Sequence, residues 1–191
     1  MPPTPAHPRA LVTLLGHDNT LSSADKEAQA VMGILKRVYD VTLIRNPSIE
    51  VLNDALSGCS LWWFVGHGDA PLQGECVLAF HDAGAIQTVS LDTLKRTVKK
   101  HTGTLRQVVL AACKTFDTAK ALKDAGVASI MYWSTLLVDS AASDFGQAFA
   151  HALTEGKSLE DAMDEASTAV GRICEDGELD TGKTELEVTP E

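Results

Sequence analysis

The chain has 191 residues, 45% of them apolar and 22% charged, enough for a single domain whose core needs no disulfide staple. Its 16 basic and 26 acidic residues leave a net charge of −10, which speaks against nucleic acid or an anionic membrane surface as a main partner. No apolar run approaches the roughly 20 residues that cross a bilayer, and prolines stand where a signal peptide would carry its apolar stretch.

The four cysteines, Cys59, Cys76, Cys113 and Cys174, form no C-x-x-C pair and have no zinc-type spacing with histidine. A cytoplasmic, reducing setting with free thiols follows as the expectation, with neither metal nor cofactor. Residues 1–9, with four prolines among the first eight, read as an unstructured leader. The domain is expected over 10–174, and 175–191, acidic and glycine-punctuated, as a disordered tail.

Between these ends, apolar runs alternate with amphipathic stretches. "ALVTLLG" (10–16) predicts a buried strand. "SSADKEAQAVMGILKRV" (22–38) predicts a helix opened by Ser22 and Asp25 at capping-box spacing, with Ala28, Val31, Leu35 and Val38 on one face. "YDVTLIRN" is a second strand and "SIEVLNDALSG" a short helix closed by glycine. "LWWFVGHG" (61–68) is apolar on both faces, as a central parallel strand should be. "ECVLAFHDAGAIQTVS" (75–90) predicts two short strands around Asp82-Ala83-Gly84, and "SLDTLKRTVKKH" a helix. "RQVVLAAC" is the next strand, "FDTAKALKDAG" and "VASIMYW" a helix and a strand. Two helices, "SAASDFGQAFAHALTEG" and "SLEDAMDEASTAVGRICE", complete the series, the second capped by Ser158 with Asp161. Such alternation implies an α/β fold with a mostly parallel central sheet, helices on both faces and a small hairpin.

In an open parallel sheet, ligands gather outside the carboxyl ends of the strands. Two strands deliver chemistry there: "LWWFVG" ends at His67 and "RQVVLAA" at Cys113. Taken singly, such a cysteine is most often a small buried hydrophobe, and such a histidine a satisfied polar residue. Together they form a nucleophile and its base, provided the two strands are neighbours. A histidine and the N-terminus of the helix opening at "KTFDTAKAL" would both favour the thiolate. The N–H groups of Gly68 and Cys113 would then face a substrate carbonyl as an oxyanion hole, with the glycines around His67 allowing close backbone approach. His81 beside Asp82 reads as a solvated turn residue; His101 and His151 lie on helices without a paired ligand. Trp62 and Trp63 are expected to pack on the flanking helices. Cys59, Cys76 and Cys174 are expected to be packing residues. No phosphate-binding loop is present.

The motifs "WWFVGHGDA" and "VVLAACKT", followed by "LKDAGVASIMYWSTLLVDSAASDFGQAFAHALTEGKSLEDAMDEA", resemble the three blocks of a CHAT domain. That family is a branch of the caspase-like cysteine peptidases, with metacaspases and separases. The match is good over about 60–170 and rests on strand–helix order alone before that. The 46 residues from His67 to Cys113 sit near the roughly 50 of caspases. The resemblance implies a three-layer caspase-like sandwich and a cysteine endopeptidase with a His67–Cys113 dyad. It implies a protein or peptide substrate, and CHAT domains usually stand beside repeat modules; with none here, the readings are a fragment, a stand-alone enzyme, or one subunit acting with a separate regulatory or repeat-containing partner. Trp133 and Asp139 would line the substrate site. Asp139 at the base of the first pocket would select Arg or Lys before the scissile bond, and as an N-cap it would serve the following helix instead. Lys114 stands where many relatives carry Glu or Gln, and Trp133 and Asp139 are six apart where four is the commoner spacing. A fold kept as a non-catalytic interaction module is the competing expectation.

Overall fold

The computed structural model describes residues 7–15, 22–68, 70–82, 85–134, 139–175 and 184–188. A six-stranded sheet forms the middle layer, built from β1 (Arg9–Leu14), β2 (Asp40–Arg45), β3 (Cys59–Val65), β8 (Gln107–Ala111), β9 (Ser129–Trp133) and β10 (Thr184–Val188). Their order across the sheet is β10-β9-β8-β3-β1-β2. All neighbours run parallel except β10, which is antiparallel to β9.

The five consecutive residues Leu61–Val65 are buried because each face of β3 has its own helix layer. Trp63 and Val65 enter the core under α1 (Ser22–Leu35), α5 (Asp139–Thr154) and α6 (Leu159–Glu175). Trp62 and Phe64 point the other way, toward α2 (Ile49–Ala55), α3 (Leu91–Lys99) and α4 (Phe116–Ala125). Adjacent tryptophans thus anchor opposite layers, as period-two alternation requires. Trp62 also donates from Nε1 to the buried Thr13 Oγ1 at 3.0 Å. Trp63 packs on Phe149, with ring centroids 6.1 Å apart.

The helix ends follow from the sequence. Ser48, Ser90 and Ser158 accept from the backbone N–H three residues on, at 3.3, 3.3 and 3.1 Å, which satisfies an otherwise orphaned donor in each first turn. Gly126 closes α4 in the left-handed conformation, φ +103°. At α1 the expected capping box of Ser22 with Asp25 involves a side chain outside the described residues, that of Ser22. Asp25 accepts from Arg45 at the end of β2, at 2.9 and 3.0 Å, and so ties helix to sheet.

Two small hairpins lie between β3 and α3. The expected one pairs β6 (Ala79–Asp82) with β7 (Ala85–Thr88). His81 and Asp82 belong to its first strand, opposite Ile86 and Ala85, not to the turn. The other, β4 (Ala70–Leu72) with β5 (Glu75–Val77), turns at Gln73 and Gly74, both at positive φ (53° and 87°), as a type I′ turn demands. The acidic segment after residue 175, expected to stay unstructured, contains β10. Its Thr-Glu-Leu-Glu-Val alternation has the period of a strand, and it pairs from Thr184 opposite Trp133 to Val188 opposite Ser129. Among the described residues, no helix is long and apolar enough to cross a membrane.

Candidate active site

Strands β3 and β8 are hydrogen-bonded parallel neighbours, and their last paired residues are Val65 and Ala111. His67 and Cys113 each follow that pair by two residues, so both leave the sheet at the same edge and at the same level. His67 is exposed and Cys113 half-buried. Cys59 contrasts with Cys113: it is buried, its Sγ donates to the Ala55 carbonyl at 3.2 Å, and burial pushes its thiol pKa up. The Cys76 and Cys174 side chains lie outside the described residues.

The two glycines flanking His67 approach the protein itself. A Cβ on Gly66 would lie 2.9 Å from both Cβ and O of Leu15. A Cβ on Gly68 would overlap Thr115 Cγ2 and stand 2.5 Å from the Cys113 carbonyl oxygen. At Gly68 the chain thus lies close against the cysteine's own loop. The histidine loop and the cysteine loop touch backbone to backbone.

Thr115 fixes the far side of that loop, a role the sequence reading did not assign. It is fully buried. Its N–H donates to the Trp133 carbonyl at 2.8 Å, and Trp133 N–H donates back to Thr115 Oγ1 at 3.2 Å. The hydroxyl proton has the Ala112 and Trp133 carbonyls within 3.3 Å. Because the hydroxyl is engaged this way, Thr115 precedes α4 without making the usual side-chain cap. Between Cys113 and Thr115, Lys114 is held at φ +50°, a left-handed conformation costing a non-glycine residue about 1–2 kcal/mol. The loop is thus a fixed, locally strained turn between β8 and α4, latched to the end of β9. Thr115→Val should strip the Trp133 N–H of its acceptor at a cost of about 1–3 kcal/mol. In a chain this size that lowers Tm by roughly 2–12 °C. Thr115→Ser should keep the latch and most of the stability, which differential scanning calorimetry on the pair would check.

Trp133 is the last residue of β9. It is 2% exposed, and its ring packs edge-on against Phe145, centroids 5.2 Å apart. It is a core residue under α5, and its contribution to the site is its backbone bond to Thr115. Asp139 is the first residue of α5; its side chain lies outside the described residues. His101 sits in the turn after α3, its Nε2 3.4 Å from Asn53 Oδ1, and burial lowers its pKa. His151, in the last turn of α5, has Nδ1 3.5 Å from an Arg37 nitrogen. Neither lies at the edge where β3 and β8 end. Among the described residues, no three His, Cys, Asp or Glu side chains are grouped to hold a metal ion.

The CHAT domain family model matches residues 5–178. The chain belongs to the CHAT domain family. No curated protein sequence matches it. Among solved structures, this CHAT domain is similar to a secreted C11 cysteine protease from Bacteroides thetaiotaomicron in complex with an irreversible peptide inhibitor, at 11% identity and a TM-score of 0.59. It is also similar to the Arg-specific cysteine proteinase gingipain R, at 14% identity and a TM-score of 0.62. The alignments cover 84% and 87% of this chain but 57% and 42% of those proteins. They establish a caspase-like α/β sandwich, in agreement with the sheet and layer order described above.

Proposed function

We propose that this CHAT domain is a cysteine endopeptidase acting through His67 and Cys113. The observation that carries the reading is the equal placement of the two residues beyond the Val65–Ala111 pair of adjacent parallel strands, with Gly68 against the Cys113 loop. Membership of a family with caspase-like folding supports it. In the proposed reaction the Cys113 thiolate, favoured by the positive end of α4, adds to the peptide carbonyl carbon. The oxygen of the resulting tetrahedral intermediate is held by the N–H groups of Gly68 and Cys113. Protonated His67 gives its proton to the leaving amine as the C–N bond breaks, leaving a thioester. Neutral His67 then takes a proton from water, which attacks the thioester and frees the acid and the thiol. Peptides and proteins are the substrates, and control by a separate regulatory or repeat-containing partner fits the same reading.

A peptidyl electrophile tests this directly. Mass mapping should find the adduct on Cys113, abolished in His67→Ala with the fold intact. Cys59 should stay unlabelled, because burial keeps it a thiol. Labelling of accessible cysteines without preference, or none at Cys113, would instead indicate a non-catalytic interaction module.

Arg or Lys before the scissile bond is the proposed specificity, through Asp139 where the chain enters α5 beyond β9. One of the similar folds is an Arg-specific proteinase. Asp139→Ala should cut kcat/KM on Arg peptides by about tenfold or more, the loss of one charge-assisted contact of at least about 1.4 kcal/mol, with Tm nearly unchanged. A fall in Tm with specificity retained would make Asp139 a helix cap.

A further inference from the structure

Among the described residues, two large apolar side chains are exposed, Val51 at 45% and Phe116 at 48%. Val51 belongs to α2, which follows the edge strand β2, two strands away from β3. Phe116 is three residues from Cys113, as the first residue of α4. One side of its ring rests on Tyr132, centroids 6.1 Å apart and planes at 58°, and Tyr132 itself is 1% exposed. The rest of the helix surface is charged: Lys120, Lys123 and Asp124 are exposed. The groove of about 210 Å³ between α3 and α4 is lined mainly by charges, among them Asp92, Lys95, Asp117 and Lys120. An open aromatic face therefore interrupts a polar surface at the end of α4 nearest the cysteine, on a backbone latched through Thr115 to β9.

We propose that Phe116 is a specificity-determining residue, whose open ring face receives a bulky apolar side chain of the substrate close to the scissile bond. The proposal rests on the peptidase reading and adds a substrate class to it: extended peptides with a Leu, Met, Phe or Tyr flanking the cleaved bond. Reach sets the position. Three residues of chain span at most about 11 Å, and an extended substrate advances about 3.3 Å per residue. The contacted side chain thus lies within about three residues of the bond. A flat ring gives area and edge-to-face contact without a hydrogen-bond requirement, so size and apolarity are selected rather than one residue type.

The experiment uses fluorogenic peptides with Arg or Lys before the scissile bond, in which Phe, Leu, Ser or Gly is scanned through the three positions on either side. The wild-type chain should favour Phe or Leu at one position by about tenfold or more. Phe116→Ala should erase that preference while leaving the glycine peptide within about twofold, with Tm lowered by no more than about 6 °C for the lost contact with Tyr132. No preference in the wild type, or the same preference in Phe116→Ala, overturns the proposal. Binding of the same peptides to Cys113→Ala, with and without Phe116→Ala, separates the two readings. A tenfold weaker affinity for the apolar peptide in the double variant supports the platform even if no peptide is ever cleaved, an outcome that removes the peptidase reading alone. Equal affinities remove the platform.

Discussion

Cys113→Ser should lower kcat/KM on a cleaved peptide by at least about 10³-fold, and His67→Ala should do so by a comparable factor. A hydroxyl is far less ionised than a thiol, and without the imidazole the leaving amine has no proton donor. The two replacements together should cost little more than either alone, because groups acting in one proton-transfer sequence are not additive. Neither should disturb folding. His67 is exposed and Cys113 half-buried, so no core side chain is lost. Steady-state kinetics with matched thermal melts would check this. Activity within tenfold of wild type in either single variant would exclude the dyad, and a multiplicative loss in the double variant would mean that the two residues act in separate steps.

The second large effect is expected at a residue without a side chain. Gly68→Ala would drive a methyl group to 2.5 Å from a backbone oxygen and into Thr115 Cγ2. A flexible side chain would swing aside, but here the obstacle is backbone held by Thr115 to β9. Overpacking of this kind costs about 1–3 kcal/mol, or roughly 2–12 °C in Tm. Because the two loops must then separate, turnover should fall by about 10²-fold, the usual consequence of a displacement near 1 Å between reacting groups. Gly33→Ala is the internal control. A Cβ there meets nothing within 4 Å, and the residue lies inside α1. It should leave activity alone and stabilise by about 0.5–1 kcal/mol. Equal behaviour of the two alanine variants would show that the Gly68 contact does not constrain the site.

The strands that carry His67 and Cys113 were legible because both are central. A strand covered on two faces reads as an unbroken apolar run, and "LWWFV" and "VVLAA" have no other reading at that length. Their adjacency was not legible: β3 lies between β1 and β8, an order set by long crossovers rather than by any local signal. The role of Thr115 depends on the same tertiary fact, since its partner Trp133 is on the next strand over. The packing of Trp133 on Phe145 is equally hidden, because an apolar residue at a strand end fits either a pocket wall or a core. The β4–β5 hairpin has a weak sequence signal, since each strand has three residues, one of them Pro71, and its turn places Gln73 where Asn or Asp is usual. For β10, the acidity of the surrounding segment masked a five-residue alternation.

That last strand has a practical consequence. All five residues of β9 are buried, and β10 occupies the hydrogen-bonding groups along its outer side. Trimming the chain after Glu175 would bare a short, wholly apolar ribbon with an open row of backbone donors and acceptors, the kind of border along which separate molecules stick together. Recombinant versions shortened to the matched region, which ends at 178, would therefore be prone to precipitate. Their loss of yield would reflect an uncovered flank and not damage to the cysteine's surroundings.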